Sequence, residues 1–134
     1  MPHFVVEYTD NIKEEADIRL LLKKANTILI DQGGLFPIGG IRSRAIELKD
    51  YVMADDEEDY AFVHASLTVA GGRSKEATKK VCDELFLMMT EHFADVFKKH
   101  YFALSMEFNE FSNSTYKKNN VHMRFKKNAQ RCKK

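Results

Sequence analysis

The chain has 134 residues, 44% of them hydrophobic and 31% charged, with a formal net charge of +1. That describes one domain of ordinary globular composition, large enough to bury a core. No apolar run is long enough to span a bilayer and no signal-peptide layout opens the chain. The two cysteines, Cys82 and Cys132, lack metal-binding spacing, so a cytoplasmic protein without a metal site is expected.

Pro2 stands directly behind Met1 and ahead of the apolar run Phe4-Val5-Val6. If Met1 is removed, residue 2 carries a free secondary amine at the head of a strand. The reference pKa of an α-amino group is about 7.7–8.0, so a modest downward shift makes such an amine a usable general base near neutral pH. The plain alternative is that Pro starts a strand because it need not donate to the ladder. The strand itself reads from Pro2 to Tyr8, with Phe4, Val6 and Tyr8 on one face.

Asn11 and Glu14 have the spacing of a capping box. Ile18, Leu21, Leu22, Ala25, Ile28 and Leu29 then form one apolar helical stripe, closed by Gly33-Gly34. A second strand is expected from about Ile41 to Val52, and the acidic stretch from Met53 to Asp59 reads as a connection. A third strand spans Tyr60 to Val69. Gly71-Gly72-Arg73-Ser74 breaks it, with Ser74 as the N-cap of a second helix striped by Val81, Leu85, Met88, Met89, His92, Phe93 and Val96. A fourth strand covers roughly Tyr101 to Phe108.

The order is βαβ followed by βαβ. The expected fold is therefore α+β: two β-α-β units forming a four-stranded sheet with two helices on one face. The other face, with Val5 and Phe62, reads as too apolar to stay wet, which implies oligomerisation through it. Between Tyr116 and Lys134 there are eight basic residues and no acidic ones, leaving 13 basic against 20 acidic in the rest, a net of −7. Val121, Met123 and Phe125 alternate like a short edge strand. Residues 128–134 show no apolar periodicity and read as a disordered tail, so the domain is expected to span residues 1–127.

Three features carry candidate chemistry besides Pro2. Arg42 and Arg44 alternate onto one strand face, where guanidinium groups suit a bidentate grip on a carboxylate. Arg73 sits at a glycine-rich turn feeding a helix, where backbone N–H groups and the helix dipole favour an anion. Asn119-Asn120-Val121-His122 interrupts the basic run and could line a pocket or simply turn. His92 falls on the apolar stripe and reads as a satisfied core histidine.

Several blocks together resemble the 5-carboxymethyl-2-hydroxymuconate isomerase family of the tautomerase superfamily. They are Met1-Pro2-His3-Phe4-Val5-Val6-Glu7, Gly40-Ile41-Arg42-Ser43-Arg44, Asp59-Tyr60-Ala61-Phe62-Val63-His64, Gly72-Arg73-Ser74 and Lys118-Asn119-Asn120-Val121-His122. The resemblance covers Pro2 to about Lys127. It implies a homotrimer and a cofactor-free proton transfer on a polycarboxylate dienol from homoprotocatechuate breakdown, with no nucleic acid or membrane partner. It also implies that Pro2 is the proton shuttle, that Arg42 and Arg73 hold substrate carboxylate or developing negative charge, and that Arg44 occupies a motif position. Two other readings stay open: a promiscuous tautomerase or dehalogenase-like enzyme on the same scaffold, and a non-catalytic anion-binding module.

Overall fold

The structure, a computed structural model, describes residues 1–113 and 115–125. Strand β1 (His3–Thr9) leads through a 3-10 turn (Asp10–Ile12) to a short helix α1 (Lys13–Ala16) and then to α2 (Ile18–Ile30). A second 3-10 turn (Ile38–Gly40) precedes β2 (Arg42–Leu48), and β3 is Tyr60–Ala70. Helices α3 (Lys75–His92) and α4 (Ala94–Lys99) lead to β4 (Tyr101–Phe111).

The sheet order is β2-β1-β3-β4. Within each half the two strands are parallel, and β1 meets β3 antiparallel at the centre. The expected α+β architecture of two joined βαβ units is therefore the observed one.

The core lies between the helices and one face of this sheet. Phe4, Val6 and Tyr8 of β1 and Ala61, Val63, Ala65, Leu67 and Val69 of β3 are buried, as period-two alternation requires. They meet Leu21, Ala25 and Leu29 of α2 and Val81, Leu85 and Met89 of α3, which repeat at helical spacing. Phe102, Leu104, Met106 and Phe108 of the edge strand β4 are only partly buried against that core.

Four local expectations change. Asn11 and Glu14 make no capping box; the Asn11 amide instead donates to Asp59 Oδ1 at 3.1 Å and Tyr60 O at 2.8 Å, tying the first turn to the start of β3. Asp17 at φ 42° then breaks the helix, separating α1 from α2. Strand β2 stops at Leu48 instead of Val52. Residues 121–125 are helical and not an edge strand, because Asn119 Oδ1 accepts the Val121 N–H at 2.6 Å and starts a turn there. The expectation of a disordered tail at 128–134 lies outside the described residues.

The uncovered sheet face mixes polar and apolar side chains. Register places His3, Glu7, Arg42, Arg44, His64, Ser66, Thr68, Ser105, Glu107 and Asn109 on it beside Val5, Ile46, Phe62, Tyr101, Ala103 and Phe111, of which Ile46 and Tyr101 are exposed. Phe62 is shielded by Tyr51 edge-on at 6.1 Å, and His64 bridges Ser105 and Glu107 at 2.7 and 2.9 Å.

Candidate active site

Register alone brings the predicted residues to one end of the sheet. The head of β1 lies beside the head of β2 on one side, where the Arg42 N–H donates to Pro2 O at 3.0 Å. On the other side lies the tail of β3, His3 pairing with Thr68. Arg73 follows that tail by three residues. Pro2 is buried.

The terminal amino group, here that of Met1, sits among cations. Burial, then Arg73, Lys117 and Arg42 in that order, lowers its pKa from the ordinary α-amino value. The next side chain, His3, is likewise lowered by burial and by Arg44 and Arg42, and its Nδ1 accepts from Arg44 Nη1 at 3.0 Å. Positive potential at this end of the sheet is thus a local property of several side chains.

The three arginines differ in how they are held. Arg73 donates from Nε and Nη2 to Leu35 O at 3.3 and 3.1 Å and from Nη1 to Ala70 O at 2.6 Å. Its guanidinium carbon also stands 4.6 Å over the centre of the Phe36 ring. Three of its five N–H donors are used in that cradle, and two have no partner among the described residues. Arg42 contacts Gly40 O and Met1 Sδ through Nη1, at 3.3 and 3.1 Å. Arg44 is exposed and engaged with His3.

The glycine-rich turn is built as its composition implies. Gly72 takes φ 103°, and Ser74 Oγ accepts the Ala77 N–H at 3.1 Å as the N-cap of α3. His92 has both ring nitrogens occupied, by Ala16 O at 2.6 Å and Lys24 Nζ at 3.1 Å, and is a structural histidine.

Two neighbours were less visible in the sequence. Lys117 reaches the amine end by a long-range return of the chain after β4. His122 lies against the Ile38–Gly40 turn: a Cβ on Gly39 would come within 2.8 Å of its Nδ1. The amide-rich interruption of the basic run was the signal for this segment, but spacing could not say what it packs on.

A cavity of about 530 Å³ lined by Glu58, Asp59, Phe97, Lys98, Lys99, His100 and Tyr101 lies at the opposite end of the sheet. It contains none of the predicted site residues.

A double βαβ sheet with the amino terminus leading into a central strand, beside Arg42, Arg44 and Arg73, is the arrangement of a tautomerase-like protein. The profile of 5-carboxymethyl-2-hydroxymuconate isomerases matches residues 2–125. The chain is 43% identical over 127 residues to the 5-carboxymethyl-2-hydroxymuconate Delta-isomerase of Escherichia coli, covering 94% of this chain and all of that one. A crystal structure of a 5-carboxymethyl-2-hydroxymuconate isomerase from Deinococcus radiodurans R1 superposes with a TM-score of 0.89 at 46% identity, over 92% of this chain and 93% of the other. Another crystal structure, of a 5-carboxymethyl-2-hydroxymuconate delta-isomerase, shares the fold at a TM-score of 0.85 and 22% identity, over 93% of each chain. The chain belongs to the 5-carboxymethyl-2-hydroxymuconate isomerase family and is an isomerase.

Proposed function

We propose that this enzyme converts 5-carboxymethyl-2-hydroxymuconate to its conjugated oxo isomer, using the Pro2 amine exposed by loss of Met1 as base and acid. The proton leaves the enol oxygen for the amine, the carbonyl forms, and the same proton is returned to the far carbon of the diene. No net proton, electron or water is consumed. The observation that supports this reading is that burial, Arg73, Lys117 and Arg42 lower the pKa of the Met1 amino group, one residue from the Pro2 nitrogen; the same cations would favour the neutral, proton-accepting form of a Pro2 amine.

Arg42 and Arg73 have the complementary task. A dienolate gains negative charge as its proton leaves, and the substrate already carries carboxylates. A preorganised guanidinium stabilises both without reorganising. Arg73, clamped to Leu35 O and Ala70 O, is the more rigid of the two and suits the developing charge. Arg42, whose side chain among the described residues engages partners through Nη1 alone, suits a carboxylate. Arg44 acts on the site through His3. A substrate that brings its own charges explains why cations, and no catalytic carboxylate, surround the amine.

The assembly belongs to the same proposal. One edge of the sheet, β2, carries Arg42 and Arg44; the other, β4, carries Glu107 and Glu110. Opposite charges on opposite edges suit head-to-tail closure into a ring, here a homotrimer, better than a two-fold pairing of like edges. We place the enzyme in the cytoplasm; no helix among the described residues is long and apolar enough to cross a membrane.

The test compares two forms separated by intact mass, with and without Met1. With Met1 attached, the Pro2 nitrogen is a tertiary amide and neither basic nor nucleophilic. The Met1-free form should isomerise the dienol triacid in preference to phenylpyruvate, and Pro2→Ala should lose most of that activity while keeping its fold. Wild-type rates from the Met1-retained form would overturn the proline mechanism.

A further inference from the structure

After β4 the chain returns over the Ile38–Gly40 turn as a strap of residues 115–125. Asn119 fastens it: Nδ2 donates to Gly39 O at 3.1 Å while Oδ1 accepts the Val121 N–H at 2.6 Å. Both ends of the amide are used, so its orientation is set. The turn beneath has no side chain to hold the strap off. A Cβ on Gly39 would meet the backbone N and Cα of His122 at 2.9 and 3.1 Å, so the strap would have to shift to admit it. The imidazole therefore packs against backbone that glycine leaves open.

The same notch borders Met1. A Cβ on Gly40 would meet Met1 Cγ at 3.2 Å, Met1 Cα at 3.5 Å and His122 Cε1 at 3.7 Å, so the methionine and the imidazole flank a single point. Met1 Sδ in turn accepts from Arg42 Nη1 at 3.1 Å. The Met1 side chain thus runs in a slot walled by Arg42, Gly40 and His122, one peptide bond from the Pro2 nitrogen. When Met1 leaves, that slot opens directly onto the amine. Among the described residues neither ring nitrogen of His122 has a hydrogen-bond partner, although the residue is only half-exposed.

We propose that His122 is a further substrate-binding residue of this site, and that with Arg42 it grips one carboxylate arm of the substrate in the slot Met1 occupies. The proposal rests on the Pro2 reading for what the slot serves, but not for what it binds. Arg42 supplies charge, and the His122 ring, whose Cε1 lies beside Gly40, would supply an N–H from a nitrogen flanking that carbon, so an unbranched arm ending in a carboxylate suits the space between them. A retained Met1 then blocks the enzyme twice, by capping the amine and by filling the slot.

The experiment uses Met1-free protein verified by mass, with tricarballylate as the binding probe in calorimetry and the dienol triacid as substrate. His122→Ala should raise the tricarballylate Kd and the triacid KM by about tenfold, the loss expected for one hydrogen bond to a charged group, with kcat changed by less than about threefold. His122→Gln, which keeps an N–H donor, should recover part of the loss. KM for the monoacid phenylpyruvate should hardly move. Gly39→Ala, which pushes the strap away, should reproduce the His122→Ala pattern, and Met1-retained protein should bind tricarballylate poorly. Unchanged Kd and KM in His122→Ala would overturn the proposal, as would wild-type protein that does not bind tricarballylate. If tricarballylate binds in a His122-dependent way but the triacid is not isomerised, the reaction assigned to Pro2 fails and the slot stands.

Discussion

Arg73 and Arg42 are the same residue type with different mechanical roles, and their variants should separate those roles. Arg73 satisfies Leu35 O and Ala70 O, so Arg73→Ala removes a site charge and also strands two carbonyls. It should lower kcat/KM by more than about tenfold and cost about 1–2 kcal/mol of stability in a denaturant titration. Arg42→Ala should lower kcat/KM comparably with an unchanged midpoint. Arg→Lys should rescue either only in part, because an ammonium cannot make the bidentate fork. If both alanine variants keep normal kinetics, these arginines are structural. The pH profile carries the electrostatic claim. The base must be neutral, so kcat/KM should rise with pH through an amine pKa below the ordinary α-amino value and then level off. Removing a neighbouring cation raises that pKa, so Lys117→Ala should move the ascending limb to higher pH. A limb that stays in place would mean Lys117 does not act on the amine.

The elements owe their limits to single side chains. Helix α3 begins where Ser74 Oγ takes the Ala77 N–H, and Ser74→Ala should cost about 1 kcal/mol, with Ser74→Asp restoring it. Thermal or chemical denaturation reads this directly, and an unchanged midpoint would deny the cap its role. Near the start of the first helical segment the cap motif was present but unused. Asn11 was drawn to Asp59 and Tyr60, residues nearly fifty positions away that no local pattern reveals. The strap shows the reverse case: an apolar alternation that suits a strand became helical because Asn119 bonds locally to Val121.

At the scale of the whole molecule, part of the basic C-terminal run is carried to the other end of the chain. Lys117 is carried back to the amine end, where it joins Arg42 and Arg73. The proposed trimer should appear in sedimentation at micromolar concentration, and a monomer there would overturn it. Glu107→Lys, which reverses charge on the β4 edge, should weaken that assembly if edges of opposite charge close the ring. Truncation after Lys127 should leave assembly and activity intact, whereas removal of residues 117–134 should abolish the tricarboxylate preference along with His122. Equal activity of both truncated forms would show that the strap does not serve the site.

Periodicity determined the layers, because alternation at two and at 3.6 residues decides which side of a strand or helix can be desolvated, and Phe4, Val6, Leu21 and Leu85 fall where it placed them. Local chemistry likewise marked Pro2, Arg42, Arg44 and Arg73, since a free amine and clustered guanidinium groups are unusual enough to be noticed singly. What spacing could not carry was proximity. The sheet order sets Arg42 against Pro2 and Arg73 close behind, and the strap sets Lys117 and His122 beside them, across as many as 120 positions of chain. Those meetings depend on strand pairing and on a close backbone approach at Gly39, which are decided by packing between distant segments and leave no period in the sequence.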